Sequence, residues 1–401
     1  MLSSVAAASP ALDLFNQATY YITARYNGFS TAAFQEFAAQ FRPQLDAACA
    51  GQLETCPYSV AVPIVQQMLE AMGDGHSYLL ASAQRAEVLR QRSGLGPNAP
   101  RMGLATRTVS DSFDRVVADV WENSPAQAAG LRRGDRLYSV DGLSSDTLGA
   151  DFQTTIAKAV SSGNPVRLGV QRGAARFEVS LRGAVLPARL PSLRVVASGV
   201  GLLRIPSFDV IGKVASSVHD LVRRAQSQKL QKLIVDVRDN PGGVDFEVLA
   251  SIGAFVRRTG FTQVFRDSSR TQVVQDGAVL TATGVSVYNV PNPALWTGKI
   301  AVLVNSHSYS GAEYLAQLLQ DAGLGATVIG EETGGLGNTG SSEFNLPDGS
   351  ALVLTIFRSQ RLDGTMLPAK VTPDVLVNGE LETQALSGRD VALQAALEAL
   401  K

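Results

Sequence analysis

The segment Val304-Asn-Ser-His-Ser-Tyr-Ser-Gly-Ala-Glu313 sets three serines and a histidine between an apolar run, Ile300 to Leu303, and a helical pattern, Tyr314 to Ala322. A serine at such a strand-to-helix corner is a candidate nucleophile. Its hydroxyl would stand at the positive end of a helix, where unpaired backbone N–H groups stabilise an oxyanion growing on a carbonyl under attack. The chemistry to expect is acyl transfer. The same residues also fit a purely structural role, since Ser310-Gly-Ala-Glu313 reads as a capping box that satisfies the first orphan N–H groups of the helix.

The rest of the chain must position that corner. At 401 residues it is long enough for two or three domains. Charged residues make up 18% and the formal net charge is -1, so nothing marks nucleic acid or an anionic membrane as a partner. No apolar stretch approaches the roughly 20 residues of a membrane helix. The opening Met1-Leu-Ser-Ser-Val-Ala-Ala-Ala-Ser-Pro-Ala11 lacks a basic start, and its small residues look like the tail of a trimmed signal peptide, which predicts an extracytoplasmic (periplasmic or secreted) protein. Cys49 and Cys56 lie in a short link between two helical patterns. They read as a disulfide of an oxidising compartment, with two free thiols as the alternative. One cysteine pair without nearby histidine completes no zinc set, and neither a metal nor an organic cofactor is indicated.

Residues 1–95 read as a helical N-terminal region, with Leu14, Ala18, Tyr21 and Ile22, then Val62, Val65, Met68, Leu69 and Met72, at spacings of three and four. Breakers in Ser93-Gly-Leu-Gly-Pro-Asn-Ala-Pro100 mark a linker. Residues 99–188 are dominated by short alternating strands with one helical stretch, Asp151 to Ser161. From 192 to 401 strands and helices alternate, as in an α/β core.

In the middle unit, Asn123-Ser-Pro-Ala-Gln-Ala-Ala-Gly-Leu-Arg-Arg-Gly-Asp135 followed by Leu137-Tyr-Ser-Val-Asp-Gly142 resembles the signature of PDZ domains. In that family a peptide C-terminus adds to a sheet edge while backbone N–H groups of a glycine-containing loop hold its carboxylate. The resemblance implies that Met102, Gly103 and Leu104 form the loop, opposite a helix carrying Phe152, Ile156 and Val160.

Leu233-Ile-Val-Asp-Val-Arg-Asp-Asn-Pro-Gly-Gly243, Ser308-Tyr-Ser-Gly-Ala-Glu313 and Ile329-Gly-Glu-Glu-Thr-Gly-Gly335, in this order behind a PDZ unit, resemble the tail-specific, or C-terminal-processing, serine proteases. The resemblance implies an α+β multidomain protein with a core like those of the ClpP and crotonase folds. Matching Glu313 and Asp321 to the family's Glu and Asp puts the nucleophile at Ser310 rather than Ser306 or Ser308. The N–H of Gly311 then faces the oxyanion, joined by one from Gly242 or Gly243, where a side chain would bar the backbone from the substrate.

A serine attacks only if a base removes its proton. Many members of the family use a lysine at the position that is Leu336 here, so that dyad is excluded. The branch that resembles the tricorn core uses a histidine in an Asp-x-His motif ahead of the PDZ position, matched by Asp74-Gly-His76. Of the two other histidines, His219 reads as a partly solvated helix residue, and His307 is an alternative base close in sequence to the corner. The branch's glutamate, which would orient the base, falls on or beside Pro368. Asp363 is the nearest carboxylate, with Glu332 and Asp74 as further options, and Lys370 is another base to weigh.

The expectation is a serine endopeptidase without cofactor, acting near the C-termini of protein or peptide substrates through an acyl-enzyme on Ser310 with His76 as base. Its rivals are an inactive PDZ-containing protein that binds C-termini and an esterase or amidase for small acyl substrates. The sequence sets no oligomeric state.

Overall fold

The computed structural model describes residues 9–52, 54–108 and 112–401, so most of the opening segment read as a signal-peptide tail lies outside the described residues. The candidate corner stands on a six-stranded sheet ordered Val375–Leu376, Thr327–Gly330, Lys299–Val304, Lys232–Asp236, Val200–Arg204 and Ser192–Ala197. All neighbours run parallel except the last pair. Helices cover both faces. Val214–Ser227, Asp245–Ile252 and Gly311–Asp321 bury their apolar stripes on one, and Val391–Ala399 packs on the other. Sandwiching explains why Leu233 to Val235 and Ile300 to Val304 are unbroken apolar runs rather than alternating ones.

Beside this layer lies an antiparallel sheet that the sequence reading did not foresee. Its strands include Thr339–Asn345, Ala351–Gln360, Arg258–Val264, Ser269–Gln275, Ala278–Thr281 and Ser286–Asn289. The N-terminal helices Pro10–Arg25, Phe37–Ala48 and Tyr58–Met72 do not form a separate core. Their buried Phe15, Ile22, Val65 and Met68 share one cluster with Leu352 and Leu354 of that sheet and with Leu346 in the turn beside it. Cys49 and Cys56 are joined as a disulfide that closes the link between the second and third helices.

Gly73, at φ +62°, ends the third helix in the left-handed conformation that favours glycine. The chain then passes His76 and adds Tyr78–Leu80 to the antiparallel sheet, with Tyr78 opposite Val353. A segment from the N-terminal region is thereby built into the wall of the core.

The middle unit is a sheet ordered Leu104–Thr108, Arg115–Val120, Arg136–Val140, Pro165–Arg172 and Ala175–Arg182, crossed by helix Phe152–Ser161. Ser124 caps a one-turn helix by accepting the Gln127 N–H, as the Ser-Pro start predicts. Arginines tie this unit to the core: Arg107 and Arg133 both pair with Asp239, and Arg133 also pairs with the buried Glu380. Glu380 in turn meets Arg238 at 2.9 Å, and Arg238 holds Asp236 at 2.8 Å and Asp390 at 3.0 Å.

Candidate active site

Strands Lys232–Asp236 and Lys299–Val304 are neighbours in the parallel sheet, so the loops that leave their carboxyl ends meet. Ligand sites in such sheets lie at those ends. The first loop is Asp239-Asn-Pro-Gly-Gly243 and the second is Asn305 to Ser310. They are laced together: the Tyr309 N–H donates to the Asn240 carbonyl at 2.9 Å and the Asp239 N–H to Asn305 Oδ1 at 3.0 Å.

Ser310 stands immediately before helix Gly311–Asp321, at φ 51° and ψ -113°. A non-glycine residue held there is strained, and such strain persists only where the surroundings dictate it. Glu313 does so. Fully buried, its carboxylate accepts the N–H groups of Ser310 (2.7 Å), Gly335 (2.8 Å) and Leu336 (2.8 Å) and the Thr333 hydroxyl (2.6 Å). Half of a capping box thus forms, while the Ser310 hydroxyl makes no capping bond and is left for other work. Burial pushes the Glu313 carboxyl up, and the four donors pull the other way. Of the other serines, Ser308 donates to the Val237 carbonyl at 2.8 Å inside the core, and Ser306 donates to Glu331 at 2.7 Å on the surface.

The glycines separate by what their N–H groups already do. Gly242 donates to Asn240 Oδ1 at 2.8 Å and is spent. Among the described residues, neither the Gly243 nor the Gly311 N–H donates to a protein acceptor. Gly242 is required for another reason. Its φ is +97°, and a Cβ there would come within 2.8 Å of both the Gly311 nitrogen and Ser310 Cβ. The arrangement offers two uncommitted donors beside one serine hydroxyl, the makings of an oxyanion hole.

His76 and Ser310 line the same cleft of about 910 Å³, together with Gly242, Gly243, Phe246, Leu336 and Tyr78. No hydrogen bond joins the two side chains. The imidazole is buried, and its Nδ1 lies 2.9 Å from Thr339 Oγ1. Burial lowers its pKa to about 4, against a smaller raising effect from Asp74. Leu336, where the family resemblance leads one to look for a lysine, packs close enough to Gly75 that a Cβ on that glycine would sit 3.3 Å from the leucine methyl.

Several expected residues lie elsewhere. Asp363 is exposed in a turn, where its carboxylate accepts the Thr365 N–H at 2.8 Å and the Thr365 hydroxyl at 2.7 Å. It does not reach His76. Glu332 pairs with Lys370 at 2.9 Å, both half exposed, and Asp74 accepts the His76 main-chain N–H at 3.0 Å. His307 is exposed, with Nδ1 3.3 Å from the Ser306 hydroxyl. His219 is fully buried rather than partly solvated, with Nε2 2.9 Å from the Ala250 carbonyl and Nδ1 accepting the Ala294 N–H at 2.9 Å. In the middle unit, Phe152, Ile156 and Val160 are at most 4% exposed and pack with Met102 in its core. They support the helix rather than face a groove. Gly103, at φ +79°, and Leu104 stand where the strand edge begins. Thr339 escaped the sequence reading, because a threonine in Gly-Asn-Thr-Gly looks like a turn and only its pairing with Arg358 carries it beneath His76.

Fold and site together have the form of a serine hydrolase core with an attached small β-rich unit. Residues 199–377 match peptidase family S41, and residues 100–182 match the PDZ domain. A carboxyl-terminal-processing protease of Synechocystis sp. is 30% identical over 84% of this chain and 76% of its own length. Carboxyl-terminal-processing peptidase 3, chloroplastic, of Arabidopsis thaliana is 27% identical over 73% of this chain, which spans only 55% of that relative's length. In fold, the photosystem II D1 C-terminal processing protease superposes with a TM-score of 0.54 at 20% identity, covering 94% of this chain and 97% of its own. The chain belongs to peptidase family S41, with the carboxyl-terminal-processing proteases.

Proposed function

We propose that the chain is a serine endopeptidase that cleaves protein substrates near their C-termini. The observation that carries this reading is the strained Ser310, its hydroxyl unspent, beside the uncommitted N–H groups of Gly311 and Gly243 in a cleft shared with His76. His76 Nε2 takes the Ser310 proton as Oγ bonds to the substrate carbonyl carbon, and the two N–H groups hold the oxyanion. Collapse of that intermediate expels the amine, which receives the proton from His76. Water then enters by the same route and frees the acid. His76 and Ser310 reach hydrogen-bond distance once a substrate is seated, as loosely aligned free sites do.

Leu104–Thr108 is an edge strand, open to addition of a further strand, and it supports recognition of substrate C-termini by the PDZ unit. The disulfide supports an extracytoplasmic setting. Ser310→Ala and His76→Ala, followed by casein digestion and fluorophosphonate labelling, test the reading. Both variants should lose digestion and Ser310→Ala should lose the label. Unchanged digestion in either would overturn the assignment.

A further inference from the structure

A histidine base needs an acceptor on its second ring nitrogen, usually a carboxylate, to fix the tautomer. Among the described residues no carboxylate hydrogen-bonds the His76 ring, and those weighed above are engaged elsewhere. Asp74 holds the His76 main-chain N–H and the Ser77 hydroxyl at 2.9 Å, Glu313 takes its four donors, and Asp363 is tied to Thr365. The group on the ring is the Thr339 hydroxyl, 2.9 Å from Nδ1, with both residues buried. Thr339 is itself fixed. It opens strand Thr339–Asn345 opposite Arg358, and its carbonyl accepts the Tyr314 hydroxyl at 3.1 Å. Tyr314 lies one turn into the helix that Ser310 begins, so this hydrogen bond ties the support of the imidazole to the element carrying the nucleophile.

We propose that Thr339 is the positioning residue of the base: its hydroxyl oxygen accepts the Nδ1–H of His76, leaves the lone pair on Nε2, and takes the place of a carboxylate. The inference rests on the reading of Ser310 and His76 given above. A threonine oxygen can accept this bond as a carboxylate does, but it brings no charge to stabilise an imidazolium. Asp74 is the charged group acting on the ring, and its raising effect is outweighed by burial. The oxyanion hole then carries more of the transition-state stabilisation than in a carboxylate triad.

Thr339→Val keeps the branched shape and removes the hydroxyl, and Thr339→Ser returns it. The expected result is a fall in kcat of about 100-fold with unchanged KM in Thr339→Val, and recovery to within about tenfold of the parent in Thr339→Ser. Nitrogen-15 spectra of the imidazoles, assigned by loss of the His76 signal in His76→Gln, should show His76 protonated on Nδ1 in the parent at neutral pH. An undiminished kcat in Thr339→Val, or an Nε2–H tautomer in the parent, would overturn the inference. The spectrum of the parent decides it even if the valine variant fails to fold. Hydrolysis surviving in Ser310→Ala would sink the catalytic reading itself, whereas an inactive Ser310→Ala beside a fully active Thr339→Val would sink only the role of Thr339.

Discussion

Ser310 is held by a buried carboxylate that gathers four hydrogen bonds around the start of its helix, whereas the His76 ring meets a single neutral hydroxyl at the end of a loop. The Ser310 corner stores strain, in a residue at positive φ with glycine packed against its Cβ. The His76 arm stores none of that kind. It is defined by burial, which strips water from the imidazole and keeps it neutral. One half of the cleft is fixed by backbone conformation and hydrogen bonds to a carboxylate, and the other is tuned by its surroundings.

The sharpest way to break this contrast is at Glu313. Removing its carboxylate in Glu313→Ala strands several buried donors at about 1–3 kcal/mol each, and the expected outcome is loss of most activity with a melting temperature far below the parent's, read by calorimetry and casein digestion. Gly242→Ala should come next. Its methyl has no room beside Ser310 Cβ and the Gly311 nitrogen, so kcat should fall about 100-fold. Folding should survive, since the strain is local.

The His76 arm is probed through pH. With a folded-state pKa of about 4 against an ordinary 6.5, His76 binds fewer protons folded than unfolded between those values. Stability therefore rises with pH across that window, is complete above 6.5, and is lost as pH falls towards 4. Thermal melts from pH 4 to 7 should show this slope in the parent and a weaker one in His76→Gln. The acid limb of kcat/KM should likewise lie near pH 4 rather than 6.5, because only the neutral imidazole accepts the proton. The smallest effect is expected at Asp363→Asn, whose turn is exposed and remote from the ring, with kcat within about twofold of the parent.

The corner at Ser310 was legible as a candidate site because a strand pattern, a serine and a helical pattern follow one another in a dozen residues, and their meaning is local. The glycines of the first loop were legible for the same reason, although only hydrogen-bond accounting distinguishes Gly242 from Gly243. His76 came from a motif resemblance, not from physics within its own segment. Its partner was missed because Thr339 is 263 residues away and nothing in its neighbours marks it. Asp363 was chosen for closeness along the chain, which says nothing of reach once a turn engages the side chain. Phe152, Ile156 and Val160 show a related limit: spacing of four reveals a buried face but not whether core or ligand covers it. The antiparallel sheet and the merging of the N-terminal helices with it depend on pairings between distant segments, where periodicity carries little information.

The three-residue strand Tyr78–Leu80, which docks against Ala351–Val353, has a consequence for the birth of the molecule. A ribosome delivers the imidazole early and the alcohol late, and the wall that unites them is completed only after residue 353 has emerged. Pairing across such a separation carries a loop-closure cost that neighbouring strands do not meet. Through the stretch of synthesis that ends at residue 353, the loop bearing His76 lacks the neighbour against which Tyr78 is registered, although Ser310 has already been made.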